Sequence, residues 1–168
     1  MATARTSLFS AFAGNPYFID LDMLKEEELL TQEEIDACFW LDKQEEVKYD
    51  AVFYYRFPLL KKAYTRSLHK TTEAYRQFCE KNQFWLPDYS LYMALKKHFG
   101  DNEWLAWEED ARFRKPEAME KYKTELKEEI DYWKFLQYKF FEQWEKLKKY
   151  ASDNDVKIVG DIPIYVAL

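Results

Sequence analysis

Apolar positions along this chain fall mostly three and four residues apart, the spacing of helices that each bury one face. In "LPDYSLYMALKKHFG", Leu91, Leu95 and Phe99 share a face, Pro87 or Asp88 opens the element, and Gly100 closes it. "TTEAYRQFCEKN" reads as another helix, capped by Thr71 or Thr72. From Pro116, a residue suited to a first helical position, the pattern runs unbroken to about Ser152. That predicts one helix of about 37 residues, roughly 55 Å long.

This long helix changes character. Met119, Tyr122, Leu126, Ile130 and Trp133 form a single apolar stripe, whereas "DYWKFLQYKFFEQW" points rings in several directions and must be surrounded. Upstream, "TQEEIDACF" carries a capping box, Thr31 with Glu34 three positions on. "LDMLKEEELL" is helical with an acidic front. "DAVFYYRFPLLKKAYTRSLHK" is helical from Asp50, and Pro58 should kink or split it. "YFIDLD" alternates and fits a short strand or a loop. "DNEWLAWEEDARFRK" is a loop with a turn of helix.

The tail "VKIVGDIPIYVAL" breaks the pattern. Residues 156–160 read as a buried strand following a polar turn, yet a lone strand has nothing to pair its amides and carbonyls. A helix returning to a parallel strand is half of a βαβ unit. In barrels and open α/β sheets, ligand-facing groups sit at strand carboxyl ends, where Asp161 follows Gly160. The sister strands are not in this sequence.

Composition narrows the chemistry. With 168 residues, 48% apolar and 33% charged, the chain has the makings of one globular domain. Aromatics reach 19%, which serves a large core or a groove that stacks on sugars. A net charge of −6, with Lys and Arg scattered among acids, argues against nucleic acid. No run of about 18 apolar residues exists to span a membrane. "MATARTSLFSAFAG" lacks a signal peptide's apolar stretch, so a cytoplasmic protein is expected. Cys38 and Cys79 read as free, buried thiols, and His69 and His98 lack the spacing of a metal site. Glu26, Glu27, Glu28, Glu33 and Glu34 read as a solvated helix face. Three glycines so placed make no phosphate cradle, and neither a nucleophile elbow nor a Cys–His arrangement is defensible.

"SAFAGNPYFIDLD", "WLPDYSLYMALKKHFG", "FLQYKFFEQWEKLKKYA" and "KIVGDIPIYVA" resemble successive segments of the 4-alpha-glucanotransferases (amylomaltases or disproportionating enzymes, glycoside hydrolase family 77). The resemblance covers nearly the whole chain and about a third of a full-length member. It implies a predominantly α chain: a helical insertion plus the first strand or strands of an incomplete (β/α)8 TIM barrel. Residues 1–22 would be a barrel loop or strand segment, 23–115 the helical insertion, 116–155 the helix returning to the barrel, and 156–168 a barrel strand and its loop.

The activity so implied is transfer of alpha-1,4-glucan chains between maltodextrins by a retaining double displacement, with no cofactor and no metal. Such chemistry needs a carboxylate nucleophile and a carboxylic acid about 5 to 5.5 Å apart. By resemblance both fall beyond Leu168, so no catalytic residue is expected here and the 168-residue chain alone should be inactive. The aspartate of "GDIP" is Asp161, expected to support the donor sugar, or else merely to cap the following turn. Phe53 falls where some members carry an aromatic of a secondary glucan site; a core role fits it equally. Thr6, in "ARTSLF", stands where the family has a substrate-touching tyrosine.

The alternative is a free-standing helical module whose aromatic surface binds carbohydrate or protein. In either case the unpaired strand and many-sided helix predict self-association through exposed apolar surface.

Overall fold

Asp20, Thr31 and Thr72 start helices because their side-chain oxygens take amide protons that a first turn leaves unpaired. Asp20 accepts from Asp22 and Met23 and opens α1, Leu21–Glu26. Thr31 and Glu34 close the capping box of α2, Gln32–Asp36. Then comes α3, Tyr49–Arg66, and Thr72 opens α4, Glu73–Lys81. The remaining helices are α5, Leu86–His98; α6, Glu109–Arg112; α7, Pro116–Glu125; and α8, Lys127–Asp153. This computed structural model describes residues 10–38 and 49–160, with positions 49–51 given by backbone alone.

Helix ends follow the same logic of unpaired groups. Gly100 adopts φ +70°, and the α5 carbonyls of Lys97 and Lys96 accept from Gly100 and Asp101 at 3.1 and 2.8 Å. Asp155 does the equivalent for α8 at φ 56°, with Ser152 and Ala151 accepting from Asp155 and Val156. The polar turn "DND", Asp153 to Asp155, thus ends α8 where the sequence places a turn.

The axis of the fold is α8, against which α3, α4, α5 and the 3-10 turn Pro16–Phe18 pack. Ile19, Leu24, Leu60, Leu86, Phe135 and Leu136 form the centre of one core cluster. Leu91, Leu95, Trp107, Met119, Tyr122 and Ile130 form a second. Helix α5 contributes to both, so its two faces are covered. Tyr132, Trp133, Phe135 and Leu136 are buried on neighbouring sides of α8, as the many-sided ring pattern requires, whereas Leu147 and Tyr150 near its end are exposed.

Several expectations are corrected. The helix expected from Pro116 to Ser152 is two helices, interrupted at Leu126, whose ψ of 17° departs from helical values. The amide of Leu126 still reaches Tyr122 and its carbonyl still accepts from Ile130, so the break is a bend, not a gap. It lies just before the apolar stripe passes from the second cluster to the first. Pro58 does not split α3. A proline there costs about 3 kcal/mol, but Leu59, Leu60, Ala63 and Tyr64 directly after it are buried. Each large side chain among them returns about 1.5–3 kcal/mol.

"YFIDLD" is the end of a 3-10 turn followed by the start of α1, with Asp20 as cap. Residues 156–160 form no strand: Val156, Ile158 and Val159 are exposed, and the described residues contain no strand to pair with. The acid run is only partly solvated. Glu34 takes a two-point ion pair from Arg66 at 2.6 and 2.8 Å, and that hydrogen bonding holds its carboxyl down at about 2. Glu27 and Glu142 flank the buried Lys139. Burial pulls the Lys139 ammonium down, but its hydrogen bonds to both acids outweigh that and raise it.

His69 is buried among the rings of Tyr75, Phe135 and Tyr64, at 4.7, 4.8 and 5.6 Å, with no protein partner for either ring nitrogen. Desolvation, then the nearby Lys70, pushes it down to about 4. The unfolded chain therefore binds this proton more readily than the fold, and the stabilisation held by neutral His69 is lost as pH falls from 6.5 through 4. We expect stability to drop by up to roughly 3 kcal/mol across that window. His69→Phe should flatten this part of the profile in urea titrations at successive pH values.

Candidate functional site

Between the segment 10–17 and the faces of α3, α5 and α8 lies a cavity of about 860 Å³. Its walls include the rings of Tyr17, Phe53, Phe57, Tyr89, Tyr132 and Trp133. Phe57 sits at their junction, 4.9 Å from Phe53, 5.7 Å from Tyr17 and 6.1 Å from Trp133. Tyr132 donates to the Phe57 carbonyl at 3.4 Å, and Trp133 Nε1 has no protein acceptor. Desolvation holds the Tyr89 and Tyr132 phenols well above their ordinary range, so both are neutral donors.

The charged groups at this cavity are paired. Lys61 bonds Glu129 at 3.1 Å and lies 4.3 Å over the Tyr132 ring. Lys97 bonds Asp101 at 3.2 Å, and Lys96 donates to the carbonyls of Asp101 and Asn102. Glu129 and Asp101 are therefore engaged acids, each with a cation at hydrogen-bond distance. What the arrangement offers is stacking surface with neutral donors, suited to the flat apolar faces and hydroxyl edges of sugar rings.

One wall is held by side chains of α8. Gln137 Oε1 accepts from the Gly14 amide at 2.8 Å, and Nε2 donates to the Gly14 carbonyl at 3.0 Å. Gln143 repeats the pairing on Asp20, at 2.7 and 3.1 Å. Both pairings span 123 positions along the chain. Gly14 is needed because a Cβ there would stand 1.9 Å from Phe140 Cδ1.

Of the residues singled out from sequence, Phe53 is half exposed and lines the cavity, a rim position and not a core one. Asp161 and Thr6 lie outside the described residues. Cys38 and Cys79 are free and half-buried against the first cluster. Among the described residues no three potential metal ligands converge, and no helix is long and apolar enough to cross a membrane. Sequence reasoning missed Gln137, Gln143, Tyr89 and Trp133. The available signal was two amides inside a helix apolar around much of its circumference, since buried amides need partners.

A family model described as 4-alpha-glucanotransferase, for glycoside hydrolase family 77, matches residues 7–168. The chain belongs to the 4-alpha-glucanotransferase family. It is 50% identical over 159 residues to a 4-alpha-glucanotransferase of Clostridium butyricum, covering 95% of this chain and 33% of the relative. To that of Thermus thermophilus it is 39% identical over 163 residues, covering 95% and 32%. Among solved structures, an amylomaltase from Streptococcus agalactiae in complex with acarbose superposes with a TM-score of 0.89 at 35% identity. That match covers 96% of this chain and 33% of the other. The chain thus spans about a third of the length of the relatives it matches. These matches do not favour a free-standing binding module.

Gly14→Ala should cost about 1–3 kcal/mol, because either Phe140 or the wall must move. The midpoint of urea unfolding against wild type measures it.

Proposed function

We propose that this chain is the helical part of an enzyme that transfers alpha-1,4-glucan chains between maltodextrins with retention. Family membership over residues 7–168 carries the reading, and the acarbose complex of the Streptococcus agalactiae relative supports an alpha-glucan as the substrate class. A carboxylate attacks the anomeric carbon as an acid protonates the departing glycosidic oxygen. The resulting glycosyl-enzyme is then taken by an acceptor hydroxyl, which gives its proton to the same acid.

We assign those two carboxyls to barrel strands following Leu168, and to Asp161 a supporting role at the donor sugar, as hydrogen-bond acceptor for its hydroxyls. In this reading residues 1–22 and 156–168 belong to a (β/α)8 barrel, 23–115 are an insertion upon it, and 116–155 lead back to it. Phe53 serves a secondary glucan site at the rim of the aromatic cavity. The enzyme works in the cytoplasm on maltodextrins and uses no cofactor.

Calorimetry with maltoheptaose tests the cavity. Phe53→Ala should weaken binding about three- to tenfold, the worth of one stacked ring; unchanged affinity removes Phe53 from the site. Incubated with maltotriose, the 168-residue chain should release no glucose and form no longer maltodextrins, and turnover would overturn the assignment of the carboxyls.

The exposed Val156, Ile158 and Val159 present apolar side chains on a segment that joins no sheet. The isolated chain should therefore self-associate through this surface. In sedimentation velocity, Val159→Lys should shift the population toward monomer.

A further inference from the structure

Gln137 does more than anchor a loop. It is fully buried, and its amide touches both sides of the aromatic cavity. Toward the wall it pairs with the amide and carbonyl of Gly14; toward the floor its second Nε2 proton reaches Tyr89 Oη at 3.4 Å. Tyr89 in turn meets Trp133 edge-on, ring centroids 6.4 Å apart. One side chain therefore links Gly14 in the wall to Tyr89 and Trp133 in the floor, all three of which line the cavity.

Besides the two glutamines, Arg56 of α3 reaches the wall, its guanidinium donating to the Ile19 carbonyl. The wall's own backbone bonds are those of the 3-10 turn, Phe18 to Asn15 and Ile19 to Pro16, together with Asn15 Oδ1 accepting from Tyr17. At its two ends the backbone is satisfied by Gln137 at Gly14 and by Gln143 at Asp20. Apolar contact alone would hold this segment near α8 but allow it to slide, because apolar attraction is non-directional. Two amide pairings six residues apart on each partner fix its register.

We propose that Gln137 is a positioning residue for glucan binding: without touching sugar, it sets the spacing between the Gly14 wall and the Tyr89–Trp133 floor. Gln143 is the second anchor. This role rests on the glucan reading of the cavity given above.

Maltoheptaose affinity of the 168-residue chain, measured by calorimetry beside its urea-unfolding midpoint, tests it. Gln137→Met fills the same space but leaves Gly14 unpaired, and should weaken binding about tenfold, as loss of a buried hydrogen bond does. Met119→Ala, in the other core cluster, provides a variant of lowered stability and should keep wild-type affinity within about twofold. Gln137→Glu separates positioning from folding. At pH 8 its carboxylate cannot donate to Gly14 and binding should be weak. At pH 5.5 the buried carboxylic acid restores both the donor and the acceptor at Gly14, its one proton leaving only the long 3.4 Å bond to Tyr89 unmade, and affinity should return while that of wild type stays level.

Wild-type affinity in both Gln137 variants at pH 8 would overturn the positioning role and leave the glucan reading standing. Affinity that follows stability alone, with Met119→Ala weakened as much as Gln137→Met or no recovery in Gln137→Glu at pH 5.5, overturns the role likewise. Absence of maltoheptaose binding by the wild type overturns the glucan reading and this role with it. Should Gln137→Met fail to fold, the two pH values of Gln137→Glu decide the matter.

Discussion

The backbone of residues 14–20 has few partners of its own, and the fold solves this by borrowing two amides from α8 and the Arg56 guanidinium from α3. Gln137 and Gln143 act as short substitutes for a neighbouring strand, each offering one donor and one acceptor to the C=O and N–H of a single residue. Burying those groups unpaired would cost about 1–3 kcal/mol each, so the two glutamines and the segment must be placed together or not at all. Gly14 permits the approach, Asp20 converts the end of the segment into the cap of α1, and Ile19 between them enters the core. The cavity exists because this wall stands where it does.

Other buried polar groups follow the same rule with different outcomes. Lys139 keeps its charge inside the protein because Glu27 and Glu142 both bond it. His69 has no such partner and remains neutral among rings, so the cluster around it is apolar in effect though not in composition. The high aromatic content is thereby divided. Many rings build the two core clusters, Phe57, Tyr89, Tyr132 and Trp133 also turn a face or an edge to the cavity, and Phe53 stands at its rim.

An exposed apolar tail fits a chain that spans about a third of its relatives' length. Residues 156–160 carry the composition of a buried strand, yet a strand is defined by the ladder it joins. Without one, the segment lies open to solvent beyond the cap of α8.

Much of this architecture was legible before any coordinates. Thr31 with Glu34, Thr72, Gly100 and the "DND" stop specify helix ends by reaching only a few residues along the chain, so local sequence suffices to place them. The motifs "SAFAGNP" and "GDIPIYVA" sufficed for the family as well. What sequence alone left open was every feature set by a distant partner. The bend at Leu126, the intact helix across Pro58 and the pairing of Glu34 with Arg66 depend on which surfaces meet. The unpaired tail and the grip of two glutamines 123 positions away depend on it too. Hydrogen-bond caps are short-range and self-contained; packing and buried polar pairing are settled only when remote segments arrive at the same place.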